Sequence, residues 1–385
     1  MIRHRALGAA AGALALTAAA VIPASPAFAD SVRDRQWYLQ SLHVAEAHAI
    51  TTGNGVTVAV VDSGSYPHPD LKSNLLPGLD ETDAAGGNGQ NDTVGHGTEM
   101  AALIAAQGRG SNTGVQGIAP SAKILPVRIT KTKISFDGTT VALAKGISWA
   151  TSQGAKVINV SVGAGPAFDL EDAVTAALDK DVVVVAAAGN ASTDAVIGYP
   201  AAIDGVLAVG ASGRDGKHAS GSLPDAKIQI CAPGVEIVSA SPQDKYTSSD
   251  GTSSATAIVS GAAALVRAKF PQLSAEDVVK RLTSTADDIG PPGRDDECGF
   301  GRLNIVKALT ADVPTTGGGA TSVPASSTPS TAPGYIDPAA TTAAPQADSE
   351  PASSSTPLVL GGVLVGLIVA GGLVAALVVR RRRGV

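Results

Sequence analysis

Largely apolar runs of five to seven residues recur at 56–61, 123–129, 156–160, 181–186 and 206–210, and they constrain the fold more than anything else in the sequence. They are too short for helices and lack the polar alternation of a strand with one wet face, so each reads as a strand buried on both sides. Helical spacing fills the intervals at 143–153 and 170–178, and a further helix opens near His96 and runs through 100–106. Strands alternating with helices predict a mostly parallel sheet covered on both faces. Residues 253–270 then read as a long buried helix, with Ala255, Ser260, Gly261 and Ala262 giving it a small side for close packing. An amphipathic helix starts at Ser274, with Glu276 in its first turn and Val278, Val279 and Leu282 on its apolar face. No internal repeat is present.

Both ends of the chain read as addresses and not as fold. Residues 1–29 combine Arg3 and Arg5, an apolar run over 6–22 and the small-x-small site Ala27-Phe28-Ala29, the pattern of a cleaved secretory signal. Residues 313–356 are rich in Ser, Thr, Ala, Pro and Gly, carry only Asp337, Asp348 and Glu350 as charges, and read as a disordered linker. A charge-free run over 358–379 follows, taken with Pro357 as one transmembrane helix over 357–379; at ~1.5 Å per residue it is long enough to cross a bilayer core. The tail 380–385 opens with four arginines, which marks the cytoplasmic side and places the bulk of the chain outside, as a single-pass cell-membrane protein with an extracellular folded domain over 30–312. Gly362 and Gly366 leave a smooth stripe where a second helix could approach, although glycine is frequent in such spans anyway.

Setting aside Arg3, Arg5 and the four terminal arginines from the 28 basic residues leaves 22 against 34 acidic ones, so the exported portion is acidic by 12 charges. It has no basic stripe with interleaved aromatics, which argues against nucleic acid as a partner. Asp80, Asp83 and Asp92 lie in a polar loop without recognisable ligand spacing, so no metal ligand is assigned and calcium binding stays open, and no cofactor is expected. The two cysteines, Cys231 and Cys298, would be exported to where a disulfide persists; two buried thiols are the other reading.

Three glycine-flanked segments carry chemistry: Val61-Asp62-Ser63-Gly64, Gly95-His96-Gly97-Thr98 and Gly251-Thr252-Ser253-Ser254-Ala255. Each taken alone has an ordinary explanation, as a turn aspartate, a helix-start histidine and an N-terminal serine. Together they supply a carboxylate, an imidazole and a hydroxyl in that order. A serine hydroxyl needs a base to take its proton, and the base needs a carboxylate to hold its tautomer. His4, His43, His48, His68 and His218 lack comparable framing and read as bystanders.

With these segments on view, the chain resembles the subtilisin-like (S8, subtilase) serine peptidases over residues 36–309. The resemblance extends to residues 157–163, Ala186-Ala187-Ala188-Gly189-Asn190, Gly198-Tyr199-Pro200-Ala201, Ala232-Pro233-Gly234 and Gly299-Phe300-Gly301. It implies a three-layer α/β fold and serine endopeptidase activity on protein or peptide substrates, with Asp62, His96 and Ser253 as the catalytic residues. Asn190 would complete the oxyanion hole. Ser161, Val162 and Gly163 would bind substrate backbone as an added strand. Gly198 would floor the first specificity pocket and leave it open to a large apolar side chain. Ala257 and Ile258 stand where the family often has proline and histidine, a change in local stiffness more than in chemistry.

The interval between Ala29 and Gln36 leaves no room for the pro-domain common in the family, so the domain is expected to fold unaided or to be restrained by membrane-bound partners. That feature, the linker, the single span and the arginine tail are similar to the mycosins, the membrane-anchored subtilases associated with type VII secretion in actinobacteria. The resemblance implies processing of secretion substrates and membrane partners in a secretion complex. The alternative is a structural subunit of such a complex, with proteolysis dispensable.

Overall fold

The apolar runs become strands whose successive side chains enter opposite cores. The computed structural model describes residues 31–83, 85–110, 112–132 and 140–316. All belong to the first of two units into which the chain divides, Met1–Thr321. The expected secretory signal at 1–29, the expected linker 313–356 apart from its first four residues, the expected span 357–379 and the tail 380–385 lie outside the described residues. Among the described residues, no helix is long and apolar enough to cross a membrane.

In chain order the elements are three short helices, α1–α3 (Ser31–Asp34, Trp37–Ser41, Val44–Ile50), then β1 (Thr57–Asp62), β2 (Leu79–Asp80), α4 (His96–Ala105) and β3 (Lys123–Arg128). There follow α5 (Thr140–Ser152), β4 (Val157–Val160), α6 (Phe168–Asp179), β5 (Val183–Ala187), β6 (Leu207–Ser212) and β7 (Ile230–Pro233). A hairpin of β8 (Ile237–Ser241) and β9 (Lys245–Ser249) precedes α7 (Thr252–Lys269), α8 (Ala275–Ser284) and α9 (Ile305–Thr310).

The seven-stranded sheet has the order β2-β3-β1-β4-β5-β6-β7, and every pairing in it is parallel. Val58 and Val60 of β1 enter a core with Met100 and Leu103 of α4 and Ile258 and Leu265 of α7. Ala59 and Val61, one residue out of phase, enter a second core with Ile147 of α5 and Leu170 and Val174 of α6. The side-chain period of two thus explains both the apolar runs and the three layers. The sheet grows in one direction from β1 through β3 and in the other through β4, so the order reverses between β1 and β4. Open α/β sheets form ligand crevices outside the carboxyl ends of strands at such a point.

Cys231 and Cys298 form a disulfide, which decides between the two readings of the cysteine pair. The start of α8 follows the expected capping at Ser274, whose Oγ accepts the Asp277 N–H at 3.0 Å.

Candidate active site

Asp62 ends β1 at the crevice, where the chain must leave the sheet. Its carboxylate is fully buried; Oδ1 accepts the Ser63 N–H at 2.7 Å, and both oxygens lie 2.9 Å from Nδ1 of His96. His96 is the first residue of α4, and its side chain is 30 % exposed. Burial of the ring opposes its charge, but the Asp62 carboxylate outweighs that effect, with Glu99 and Asp92 adding to it, and the ring is pushed up to about 9. With Nδ1–H directed at Asp62, Nε2 is the ring nitrogen left to exchange a proton.

This close approach depends on Gly97. A Cβ there would stand 2.0 Å from the Gly64 carbonyl oxygen and 3.1 Å from the Asp62 Cβ. Asp92 holds the same region from below, a role the sequence reading did not assign. Its buried carboxylate accepts from the Ser63 hydroxyl at 3.0 Å, the Val94 and Gly95 N–H groups at 2.9 and 2.8 Å, and the Thr98 N–H and hydroxyl at 3.0 and 2.6 Å. The Ser63 hydroxyl in turn accepts the Gly97 N–H at 3.0 Å. Asp92 and Ser63 together therefore accept the Gly95, Gly97 and Thr98 N–H groups at the start of α4 and tie them to the end of β1. Its place four residues before His96 is the one local signal that pointed there.

Ser253 is the second residue of α7, so its N–H is among those that no intrahelical carbonyl reaches, at the positive end of the helix dipole. The Thr252 N–H donates to Asn190 Oδ1 at 3.0 Å, and the Thr252 hydroxyl accepts the Gly189 N–H at 3.2 Å. The helix start occupies the amide oxygen of Asn190, leaving its amino group as the free donor.

Ser253 and Ser161 hold each other reciprocally. The Ser253 hydroxyl donates to the Ser161 carbonyl and the Ser161 hydroxyl donates to the Ser253 carbonyl, each at 3.0 Å. Asn159 of β4 steadies the link by donating to Ser161 Oγ at 3.0 Å, while its own Oδ1 accepts the Ser260 hydroxyl of α7 at 2.9 Å.

Ser161, Gly163, Asn190, Gly198 and Ser253 share one cavity of about 50 Å³, joined there by Asp194, which the sequence reading passed over. Val162 is 5 % exposed and belongs to the core shared with α5 and α6, not to the cavity lining. Asp62 and His96 form one hydrogen-bonded pair and Ser253 and Asn190 line one cavity. No hydrogen bond joins Ser253 to His96 among the described residues, because the Ser253 hydroxyl is directed at Ser161.

Comparison with known proteins gives this geometry a family. The model of the subtilase family, peptidase S8, matches residues 53–301. The chain belongs to the subtilase family. It is a subtilisin-like serine endopeptidase. Subtilisin DY of Bacillus licheniformis is 41 % identical over 244 residues, covering 62 % of this chain and 86 % of the relative. Among solved structures, MycP1 from Mycobacterium smegmatis superposes with a TM-score of 0.65 at 32 % identity, covering 76 % of this chain and 88 % of that one. The MycP3 protease from the type VII (ESX-3) secretion system gives a TM-score of 0.63 at 33 % identity, with 72 % and 88 % covered.

Proposed function

We propose that this subtilase is exported, anchored by its C-terminal span in the cell membrane, and hydrolyses peptide bonds of extracytoplasmic proteins through Ser253, His96 and Asp62. Ser253 Oγ attacks the scissile carbonyl carbon while His96 Nε2 takes its proton. The oxyanion is received by the Asn190 amino group and the Ser253 N–H. The imidazolium, stabilised by Asp62, gives the proton to the leaving amine; water then repeats the sequence on the acyl-enzyme, and Ser253 recovers its proton. The observation that carries this reading is the pair of anchored groups: His96 fixed by Asp62 at 2.9 Å, and Asn190 fixed by the Thr252 N–H at 3.0 Å.

Export and anchoring rest on the signal-like segment, the apolar run 358–379 and the arginines after it. Likeness to MycP1 and MycP3 supports a place in type VII secretion. Ser253→Ala is expected to abolish labelling by a fluorophosphonate probe and to lower peptide hydrolysis by at least ~10⁴-fold. Labelling retained on another residue would reject the assignment.

A structural subunit is the second reading, favoured by the resting Ser253 hydroxyl being bonded to Ser161 and not to His96. Complementing a deletion strain with the Ser253→Ala protein separates the two: restored secretion supports the structural role, and failed secretion with normal assembly supports proteolysis.

A further inference from the structure

The cavity beside Ser253 carries a negative charge that the mechanism does not use. Asp194 Oδ2 accepts the Asn190 N–H at 2.7 Å and the Thr193 hydroxyl at 3.0 Å, so the carboxylate is held in place by neutral donors alone. Among the described residues it forms no ion pair with a lysine, arginine or histidine. Its Oδ2 lies 3.1 Å from where a Cβ on Gly189 would stand and is bonded to the backbone of the residue whose side-chain amide would receive the oxyanion. An unneutralised carboxylate near a site where negative charge develops opposes that charge. The opposition is relieved when the substrate brings a positive group of its own.

The walls match that chemistry. Ala187 is the one wholly aliphatic side chain in the lining; the others are serine, threonine, glycine, asparagine and aspartate. A large apolar side chain would find little apolar surface there to replace its lost hydration. A strand laid along 161–163 with its carbonyl between Ser253 and Asn190 directs into this cavity the side chain of the residue whose carbonyl is attacked. The exported portion of the chain, acidic by 12 charges, draws cationic peptides toward it as well.

We infer that Asp194 is a specificity-determining residue, and that the cavity selects a cationic side chain on the acyl side of the scissile bond and rejects an acidic one. This rests on the Ser253 reading above and replaces the large apolar occupant that Gly198 led us to expect. The test uses the full chain in detergent and three fluorogenic peptides that differ only at that residue: lysine, glutamine and glutamate.

In the wild type, kcat/KM is expected to fall in the order lysine, glutamine, glutamate, with at least ~30-fold between the ends, the effect of a close charge in a partly wet site. Asp194→Asn keeps an acceptor for the Asn190 N–H and removes the charge, and is expected to bring the lysine-to-glutamate ratio within about threefold of unity. The ratio is independent of the active fraction, and Asp194→Ser supplies a second neutral variant if the first folds poorly. A wild-type ratio near unity, or a ratio unchanged in both variants, overturns the inference while leaving Ser253 as nucleophile. Undiminished cleavage by Ser253→Ala overturns the reading beneath it instead.

Discussion

At the scale of single residues, the proposed role of His96 as the base fixes the pH response to expect. A base must be neutral to accept the Ser253 proton, and Asp62 keeps the ring charged up to about 9, well above its ordinary 6.5. The value of kcat/KM is therefore expected to climb from pH 6.5 and level off only above about 9, read from a pH–rate profile on a neutral peptide. The sign for stability is opposite. A raised native value means that the His96–Asp62 contribution is complete below about 6.5 and is lost as pH rises through about 9, so activity increases in the window where this pair weakens. Gly97 is the second residue with a sharp expectation. Gly97→Ala forces a Cβ against the Gly64 carbonyl, which can yield only by backbone movement, and is expected to cost about 1–3 kcal/mol in stability and more than tenfold in turnover. Thermal unfolding and active-site-titrated kinetics on the same preparation measure both.

At the scale of elements, α4 depends on a residue outside it. Asp92→Ala removes the acceptor of five hydrogen bonds at the helix start and is expected to destabilise the protein by about 3–5 kcal/mol, measured by chemical denaturation. The five apolar strands and the helices α4–α8 were legible in the sequence to within a few residues, because burial on both faces, or on one face at helical spacing, leaves a continuous record along the chain. The hairpin was not. Lys245–Ser249 is mostly polar and partly exposed, so no periodicity distinguishes β9 from a loop. Asp92 was read only as a loop carboxylate, and Asp194 was passed over, for a related reason. What makes each matter is a set of donors or neighbours brought together by the fold, such as Ser63, 29 residues before Asp92, or Ser253 across the cavity from Asp194. Asp62, His96 and Ser253 stood out because glycines lie one or two residues from each, which local sequence reports directly, and Asn190 through the family resemblance.

For the whole molecule, the disulfide is the largest single constraint on the unfolded chain. Its cysteines are 67 residues apart, and in the loop-closure picture such a link is worth about 4 kcal/mol. Cys231→Ser with Cys298→Ser is expected to lower unfolding stability by roughly that amount, measured against the oxidised protein in a denaturant series. Two cysteines alone did not disclose whether they pair, since pairing requires the edge strand β7 and the 295–302 loop to meet. They meet through the backbone as well: the Cys231 N–H donates to the Gly301 carbonyl at 2.9 Å and the Leu303 N–H to the Cys231 carbonyl at 2.8 Å. The strands that carry or lead to the proposed catalytic groups, β1, β4 and β5, are three consecutive interior strands, whereas the sheet borders are the two-residue β2 and this stapled β7. Local opening of a fold begins at its rims. A peptidase lives among copies of itself, to which a frayed border is food; with the proposed cutting groups inland and the longer shoreline sewn shut, the protein is expected to be slow to become its own prey.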